Sequence, residues 1–539
     1  MALVDDDNDT VSATVRTGKF ILDPREFELG SDGVAQFADP VPRENIVAFR
    51  DVLLPLIAAF GRSFDSALDR DTVACCTGRL AIYAMHCFRA SSLVRRCAEA
   101  GQKFQPPPKD FLFAFLNGSP DHVEAADSAL RCGSPPRTNW KAPARSLRNT
   151  FRGGNIVERE FLPIDLGREI VTTAMWPLHQ KHAGASDRKV VYCHPGRWLK
   201  PVDYGIEEPG LENIVHGLIQ CVREAYEICD EIFDENAHTQ IRYWTEAFPR
   251  TIQDHLRNLE KMKLPCRLWI GSASPVLYRM LVHAVRAAGG DVTSHDHGTS
   301  VGFFTRNVKA VNELEGVDRF LTMTADNAEG LRRSLRSDIL VRTDIPEIGV
   351  VPGDRLLPAP GVLTRSGKQK DGMKIMLVTN VYSGSRVWMY PHESDAVILD
   401  WQARLIAWLE RQGHKVLLKP HPECAFGPPG QLVDLGVNRV LSDAFGTVYG
   451  EADILLYDYP MTTTFAEGLA SERPIVFVNF ELEEFDQKAS KLLNRRCAVV
   501  RGRKDSIGRR QIDWDELGKA FGRAPELRDT GFFDTYLAY

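Results

Sequence analysis

Apolar positions at three- and four-residue spacing mark the first part of the chain as helical. They run through residues 46–60 and again through residues 80–94, and this periodicity predicts amphipathic helices. Proline-containing clusters at 105–108 and 133–136 divide the remainder into short pieces. We therefore expect residues 1–150 to form a mainly helical N-terminal region.

From about residue 187, short β-rich runs alternate with helical stretches. The clearest unit is a strand, a turn, a helix that stops at two glycines, and a second strand, over residues 266–270, 271–275, 276–288 and 291–294. This order needs a crossover helix and so predicts two parallel strands. A strand over 317–323 and a helix from about residue 326 continue the alternation. We assign residues 151–355 to a first Rossmann-like domain.

A second α/β series follows a break in the pattern. Residues 352–372 hold three prolines and four glycines, which is typical of a linker, and we place the linker at 356–372. After it come predicted strands and helices at 374–379, 395–411, 415–418, 439–441, 453–457, 463–470 and 474–479. The sequence thus predicts an α/β fold with two doubly wound Rossmann-like domains facing a cleft, the second over 373–525, followed by a tail over 526–539. Ligands of such sheets bind beyond the carboxyl ends of the strands.

Net charge, cysteine pattern and the lack of long apolar runs disfavour several classes of protein. The chain has 539 residues, 44% hydrophobic and 26% charged, with a net charge of −6, so a nucleic acid is not an expected partner. The eleven cysteines form no CxxC pair, which argues against a disulfide framework and a structural zinc site. The acidic amino terminus does not resemble a secretion signal, and no run of about 20 apolar residues occurs. We expect a cytoplasmic location.

The first candidate motif ends the strand predicted at 415–418. Prolines on both sides of His421 stop the strand and fix the backbone there. An imidazole at a strand end can donate a hydrogen bond to a phosphate or stabilise its charge, so Lys419 and His421 are candidate phosphate contacts. A loop histidine between turn-forming prolines is the alternative.

The second candidate motif is the turn and helix start after the strand at 453–457. Thr462, Thr463 and Thr464 place hydroxyls beside the first N–H groups of a helix, where an anion can be held, and Glu467 lies one turn further on. The alternative is that Thr464 and Glu467 form a T-x-x-E capping box and serve only to start the helix. Ser383, after the strand at 374–379, is a weaker candidate phosphate contact.

The third candidate motif follows the strand at 291–294. His295, Asp296 and His297 combine imidazoles with a carboxylate, a set that suits general acid/base chemistry. No third metal ligand stands at suitable spacing, so no metal site is predicted. A hydrogen-bonded structural cluster is the alternative. The sequence also lacks a Walker A motif, a GxGxxG after a strand and a GxSxG elbow, which disfavours ATPases, dinucleotide oxidoreductases and serine hydrolases.

Residues 374–480 resemble GT-B-type transferases of bacterial surface-glycan assembly. Members of this group carry a K-x-H-P strand end and a D-Y-S-S-like turn, matched here by residues 419–422 and 458–464; threonines replace the usual serines and a proline stands at position 460. In users of CMP-activated sugars, such as Kdo and sialic acid transferases, the resemblance implies that His421 and Thr462 to Thr464 hold the phosphate of the cytidine nucleotide. Residues 297–299 match an H-G-T sequence of CDP-glycerol polyol-phosphate transferases.

The resemblance implies a GT-B-like glycosyltransferase that needs no metal or cofactor. It would move Kdo or another acidic ulosonic sugar from a CMP donor, as co-substrate, to a glycan or lipid-linked glycan acceptor. Asp296 or His297 would act as the base on the acceptor hydroxyl, or the carboxylate would act as nucleophile if configuration is retained, while His421 stabilises the leaving phosphate. The alternatives are a CDP-polyol-dependent polyol-phosphate transferase and a non-catalytic glycan-binding or scaffold protein of the same fold.

A basic run lies near the carboxyl terminus. Eight cations occur between residues 491 and 510, and each cation near an anionic leaflet contributes about 1 kcal/mol of attraction. This run predicts weak, salt-sensitive peripheral contact with the inner face of the cytoplasmic membrane. The alternatives are an ordinary solvated surface and a division of the charges between the faces of a strand.

Overall fold

The structure is a computed structural model, and it describes most of the chain outside the amino-terminal 40 residues. The described residues are 41–99, 101, 115–118, 156–158, 164–173, 183–184, 186–194, 197–198, 209–296, 302–308, 310–350, 372–383, 387–422, 424, 430–505 and 508–537. The predicted linker at 356–372 lies outside them except for Gly372, and so does His297.

The first sheet has seven strands, all paired in parallel. Their order is β1-β3-β2-β4-β5-β6-β7. Their bounds are β1 (Ile156–Glu158), β2 (Ile170–Thr172), β3 (Val190–Tyr192), β4 (Arg267–Trp269), β5 (Asp291–His295), β6 (Arg319–Thr322) and β7 (Glu347–Val350). The predicted strand, helix, strand unit is confirmed, since β4 and β5 pair in parallel on either side of one helix. The chain builds outward from β2 in one direction and from β4 in the other, so the switch point lies between β2 and β4.

Within the part of the chain that the structure describes, seven α-helices accompany this sheet. They are α1 (Arg43–Arg62), α2 (Ala67–Glu99), α3 (Pro209–Ile228), α4 (Glu235–Glu260), α5 (Val276–Ala287), α6 (Ala310–Glu313) and α7 (Ala325–Ser334). Helices α1 and α2 share one hydrophobic core with α3, α4 and the sheet, and Phe49 stacks on Phe88 at 4.4 Å between ring centroids. The helical part that the structure describes therefore packs into the first α/β unit. The boundary predicted at residue 150 lies outside the described residues and stays a prediction.

The second sheet also has seven strands, in the order β10-β9-β8-β11-β12-β13-β14. Their bounds are β8 (Lys374–Val378), β9 (Lys415–Lys419), β10 (Val437–Val440), β11 (Ile454–Tyr457), β12 (Ile475–Asn479), β13 (Ala498–Lys504) and β14 (Arg510–Ile512). Only β14 pairs antiparallel, at the edge. The apolar residues of the central strands are buried in two cores, one on each face, as expected of a doubly wound sheet. The predicted fold class is confirmed.

The two helices predicted in the second half, over 395–411 and 463–470, are confirmed with nearly the same bounds, and the described residues form five further α-helices. In chain order these helices are α8 (Asp395–Arg411), α9 (Gly430–Asp434), α10 (Phe445–Val448), α11 (Thr463–Leu469), α12 (Gln487–Arg496), α13 (Trp514–Arg523) and α14 (Gly531–Tyr536). Helix α14, in the predicted tail, returns to the first domain, where the Thr324 hydroxyl donates to the carbonyl of Thr535 at 2.6 Å. None of the described helices is both long and apolar enough to span a bilayer.

The segment that follows the third motif runs into the second domain. Phe304 forms an antiparallel bridge with Phe485, and the Phe303 carbonyl accepts from the N–H of Asp486 at 2.9 Å. Gly302 has φ +90°, and a Cβ there would lie 2.3 Å from the carbonyl oxygen of Asn327, so only glycine fits this close approach. Residues 302–304 therefore contact both domains.

Candidate functional site

The order of the second sheet creates a switch point between β8 and β11. The chain proceeds from β8 to β9 and β10 on one side, and from β11 to β12 and β13 on the other. At such a point the connections leave in opposite directions and open a crevice at the carboxyl ends, where doubly wound sheets bind ligands. Adjacent strands lie about 4.8 Å apart, so the ends of β9 and β11 are roughly 10 Å apart across β8. Side chains from all three strand ends therefore surround one crevice.

The first motif lies on one side of this crevice. His421 is half-buried and follows β9 after a single proline, as predicted. Lys419 is buried as the last residue of β9, and its Nζ donates to the carbonyl of Pro420 at 3.2 Å. Burial lowers the pKa of Lys419, and the nearby Asp443 and Cys424 act in the opposite direction. A phosphate contact by either residue stays a prediction.

The threonine cluster lies on the other side, after β11. Thr462 has an extended backbone, and its hydroxyl accepts from the N–H of Phe465 at 3.2 Å, so Thr462 is the N-cap of α11. The prediction that Thr464 caps the helix with Glu467 is wrong, because the helix begins at Thr463 and Thr464 already lies inside it. The Thr462 and Thr464 hydroxyls are 2.9 Å apart.

The remaining members of that motif differ in exposure. Thr463 is exposed at the first position of α11, and Glu467 is half-buried. Burial raises the pKa of the Glu467 carboxyl. Ser383 is buried in the loop after β8, where its N–H donates to Asp395 at 2.8 Å. The structure therefore places Ser383 at the same sheet edge as His421 and Thr462.

His392 is a member of the crevice that sequence reasoning missed. Its Nδ1 lies 3.0 Å from Nδ2 of Asn380, which follows β8 by two residues, and its ring packs edge-on against Tyr459 at 5.3 Å between centroids. Burial lowers the pKa of His392 to about 3, and the charges of Arg43, His421 and Arg510 act in the same direction. The imidazole is therefore neutral. No local motif marks this residue, which lies in an irregular segment before α8.

A buried ion network fixes the two loops that flank the switch point. Arg510, only 1% exposed, pairs with Glu393 at 2.6 Å and with Asp458 at 3.0 Å. Asp458 also accepts from the indole N–H of Trp401 at 3.0 Å. Glu393 is the neighbour of His392, and Asp458 opens the turn that leads to Thr462. One guanidinium thus ties together both loops.

The third motif lies at the carboxyl edge of the first sheet. Asp296 is buried directly after β5, and its N–H donates to the carbonyl of Leu321 in β6 at 2.9 Å. His295 is fully buried as the last residue of β5, with its ring centroid 5.8 Å from that of Trp269. His295 is therefore part of the sheet's packing, and Asp296 is the described residue of the motif at the strand's carboxyl end. Among the described residues no cluster of three or more His, Cys, Asp or Glu side chains is arranged to hold a metal ion.

The basic run is divided between the interior and the surface. Lys504 bonds Glu393 and Glu44 at 2.8 Å each, and Arg509 pairs with Asp400 at 2.6 Å. Arg496 is buried and donates to the carbonyl oxygens of Ser471 and Arg473. With Arg510, four of the eight cations are bonded inside the fold, and a fifth, Arg501, lies 3.6 Å from Glu481 on the surface. The exposed members are Lys491, Arg495, Arg501 and Arg503.

Comparison with known proteins returns solved structures alone. No protein-family model and no curated protein matches the sequence. The similar structures include the spinosyn forosaminyltransferase SpnP, at 12% identity over 68% of this chain and 92% of that one, with a TM-score of 0.30. The glycosyltransferase SsfS6 from Streptomyces sp. SF2575, complexed with thymidine diphosphate, matches at 12% identity over 68% and 93%, with a TM-score of 0.28.

A third similar structure is the glycosyltransferase SnogD from Streptomyces nogalater, at 13% identity over 69% of this chain and 92% of that one, with a TM-score of 0.28. TM-scores of this size carry no argument about function.

Proposed function

We propose that the protein is a glycosyltransferase that takes a sugar from a nucleotide-activated donor. The observation that carries the proposal is that His421 follows β9, His392 lies beside Asn380 at the end of β8 and Thr462 follows β11, so that all three stand at one edge of the sheet beside its switch point. Neutral and cationic N–H groups with hydroxyls are the partners that a phosphate oxygen needs. A site of this kind binds the part of a nucleotide sugar on which charge develops as the glycosidic bond breaks.

The reaction follows from that placement. An acceptor hydroxyl attacks the anomeric carbon, the bond from that carbon to the phosphate oxygen breaks, and the nucleotide leaves with the electron pair. His421 stabilises the charge on the departing phosphate, and Asp296 or His297 takes the proton of the hydroxyl. Asp296 lies at the carboxyl edge of the first sheet, which the segment 302–305 links to the second domain, and this position supports a role toward the acceptor.

The donor is proposed to be a CMP-activated acidic sugar of the Kdo type. The support is the resemblance of residues 419–422 and 458–464 to users of such donors. The proposed acceptor is a surface glycan, free or lipid-linked, and the proposed location is the cytoplasm with peripheral contact at the membrane. Four exposed cations, on α12 and on β13, are the part of the basic run that supports such contact.

A donor screen tests the proposal. Purified protein is incubated with CMP-, UDP-, TDP- and CDP-linked donors, and the released nucleotide is measured together with the thermal stabilisation by each nucleotide alone, since a ligand of the native state raises stability. Release and stabilisation with CMP support the proposal. Stabilisation by CDP together with transfer of a polyol phosphate would show a polyol-phosphate transferase in place of a glycosyltransferase. If no nucleotide has an effect, a non-catalytic binding protein is favoured.

A variant pair links the activity to the crevice. His421→Ala is expected to lower turnover at least about tenfold, the effect of one lost charge-assisted hydrogen bond of roughly 1.5 to 3 kcal/mol. His414→Ala is the matched control, because His414 precedes β9 at the opposite end of the sheet, where its Nδ1 accepts from the N–H of Met373 at 3.4 Å. Equal turnover in the two folded variants would remove His421 from the mechanism.

A further inference from the structure

We propose that His392 is a second phosphate-binding imidazole of the crevice, which donates from Nε2 while Asn380 holds it in the required tautomer. The proposal rests on the proposed function, since it assigns one more contact to the same nucleotide. The ligand group is a phosphate ester oxygen, and the contact is a hydrogen bond from a neutral donor to a charged acceptor.

The tautomer follows from two hydrogen bonds of Asn380. The amide oxygen Oδ1 accepts from the backbone N–H of Val381 at 2.7 Å, which fixes which end of the amide is the acceptor. The Nδ2 group must then be the donor toward Nδ1 of His392, 3.0 Å away. A flipped amide would turn its NH₂ group against the N–H of Val381. The Nδ1 atom therefore accepts, and in the neutral ring the proton lies on Nε2.

The surroundings of His392 keep the ring neutral from every side. Arg43 approaches from α1, Arg510 from β14 and His421 from the end of β9, and among the described residues the Glu393 carboxylate acts in the opposite direction. The Tyr459 ring packs against the imidazole. Because the ring stays neutral over the pH range in which an ordinary histidine titrates, Nε2 carries its proton throughout that range. The titration of His392 therefore does not make its contact with phosphate depend on pH.

The contact between Nδ1 of His392 and Asn380 determines where the Nε2–H group points. Nδ1 faces Asn380 at the end of β8, so Nε2, on the opposite edge of the ring, faces away from that strand end, and the residue is partly exposed. His421 follows β9, the strand that pairs with β8, so the two imidazoles stand at the same edge of the sheet, and the charge of His421 helps to lower the pKa of His392. An anion above the end of β8 can be bound by both.

The experiment measures the affinity of CMP and of cytidine for the wild type and for variants by titration calorimetry. His392→Ala and His392→Gln are expected to weaken CMP binding about tenfold and to leave cytidine binding within about twofold, because the lost contact is to the phosphate. His414→Ala is again the control and is expected to bind both ligands as the wild type does. Circular dichroism and thermal unfolding confirm the fold of each variant.

Asn380→Asp tests the tautomer separately. The carboxylate keeps the acceptor for Val381 but replaces the donor toward Nδ1 by an acceptor, so the neutral ring carries its proton on Nδ1 and turns a lone pair of Nε2 toward the phosphate. CMP affinity of this variant is expected to fall near neutral pH and to recover on acidification, when both ring nitrogens are protonated. The ratio of variant to wild-type affinity isolates this effect from the titration of CMP and of His421.

The outcomes distinguish failure of the proposed function from failure of the assignment of His392. If the wild type does not bind CMP, the proposed donor class fails, and this inference fails with it. If the wild type binds CMP but His392→Ala and His392→Gln bind it equally well, or lose CMP and cytidine affinity to the same extent, the inference alone is overturned. An Asn380→Asp variant whose affinity follows the wild type at every pH would overturn the assigned tautomer.

Discussion

Replacing Arg510 by methionine tests whether the buried network fixes the loops of the crevice. The guanidinium is 1% exposed between Glu393 and Asp458, and it also lies 4.4 Å from the ring centroid of Phe480. Methionine preserves most of the apolar contact but leaves two buried carboxylates without this cation. Removing one partner of a buried ion pair costs about 3 to 5 kcal/mol. Lys504 stays 2.8 Å from Glu393, so the penalty falls mainly on Asp458, and we expect about 3 kcal/mol.

The neighbouring Arg509 offers a matched control. It pairs with Asp400 at 2.6 Å, but Asp400 keeps Arg404 as a second partner at 2.6 Å. Arg509→Met therefore leaves a compensated carboxylate and is expected to cost about 1.5 kcal/mol, the value of one hydrogen bond to a charged group. Urea unfolding followed by tryptophan fluorescence measures both variants, and equal m-values confirm that their midpoints report stability.

The pH dependence distinguishes charge from packing. In the wild type burial tends to raise the pKa of Glu393, but Arg510 and Lys504 outweigh it, so the pKa lies below its ordinary value; burial raises the pKa of Asp458 despite Arg510. Without Arg510 both values rise. A raised carboxyl pKa destabilises the fold at neutral pH, and the penalty disappears as pH falls through the folded value.

The stability deficit of Arg510→Met should consequently shrink between about pH 7 and pH 5. Adding Asp458→Asn in the same background should recover part of the loss, because the amide carries no buried charge. A deficit that is the same at both pH values and is not reduced by the second substitution would show that lost packing, and not an uncompensated charge, sets the stability.

Three further predictions concern the crevice and the surface. Thr462→Ala should lower the free energy of unfolding, measured in urea, by about 1 kcal/mol because the N-cap is lost. Thr463→Ala, at an exposed position, should leave it unchanged, and the reverse order would contradict the cap at Thr462. Thr463→Ala should weaken CMP binding in calorimetry if the exposed hydroxyl meets phosphate, and unchanged affinity would remove it from the site. Sedimentation with anionic vesicles should show weak attachment that fades with added salt, and glutamine at Arg501 and Arg503 should abolish it; protein that stays in the supernatant at low salt would leave the exposed cations as a solvated surface.

Local sequence patterns were enough to predict several strands and helices and the sheet edge on which to look for the site. Helix α8 has the predicted bounds, and β4, α5 and β5 form the predicted unit, because alternation and helical spacing of apolar residues are local properties. The prolines around His421 likewise located a strand end without knowledge of the partner strands. The capping alternative placed the N-cap at Thr464, two residues after the observed N-cap Thr462, because Thr464 and Glu467 fit the T-x-x-E pattern, and only the backbone conformation shows which threonine is the cap.

Which residues lie together in the crevice, and which charges are buried, follows from the tertiary structure. Strand order places β8 between β9 and β11, and this order depends on packing between segments far apart in sequence. His392 joins His421 only through that order, and no pattern in residues 387–394 announces it. The pairing of the basic run depends on the fold in the same way. Arg509 and Arg510 are buried and Lys504 is half-buried, and all three pair with carboxylates from α1, α8 and two loops. The position of such a partner is a property of the fold, not of the run itself.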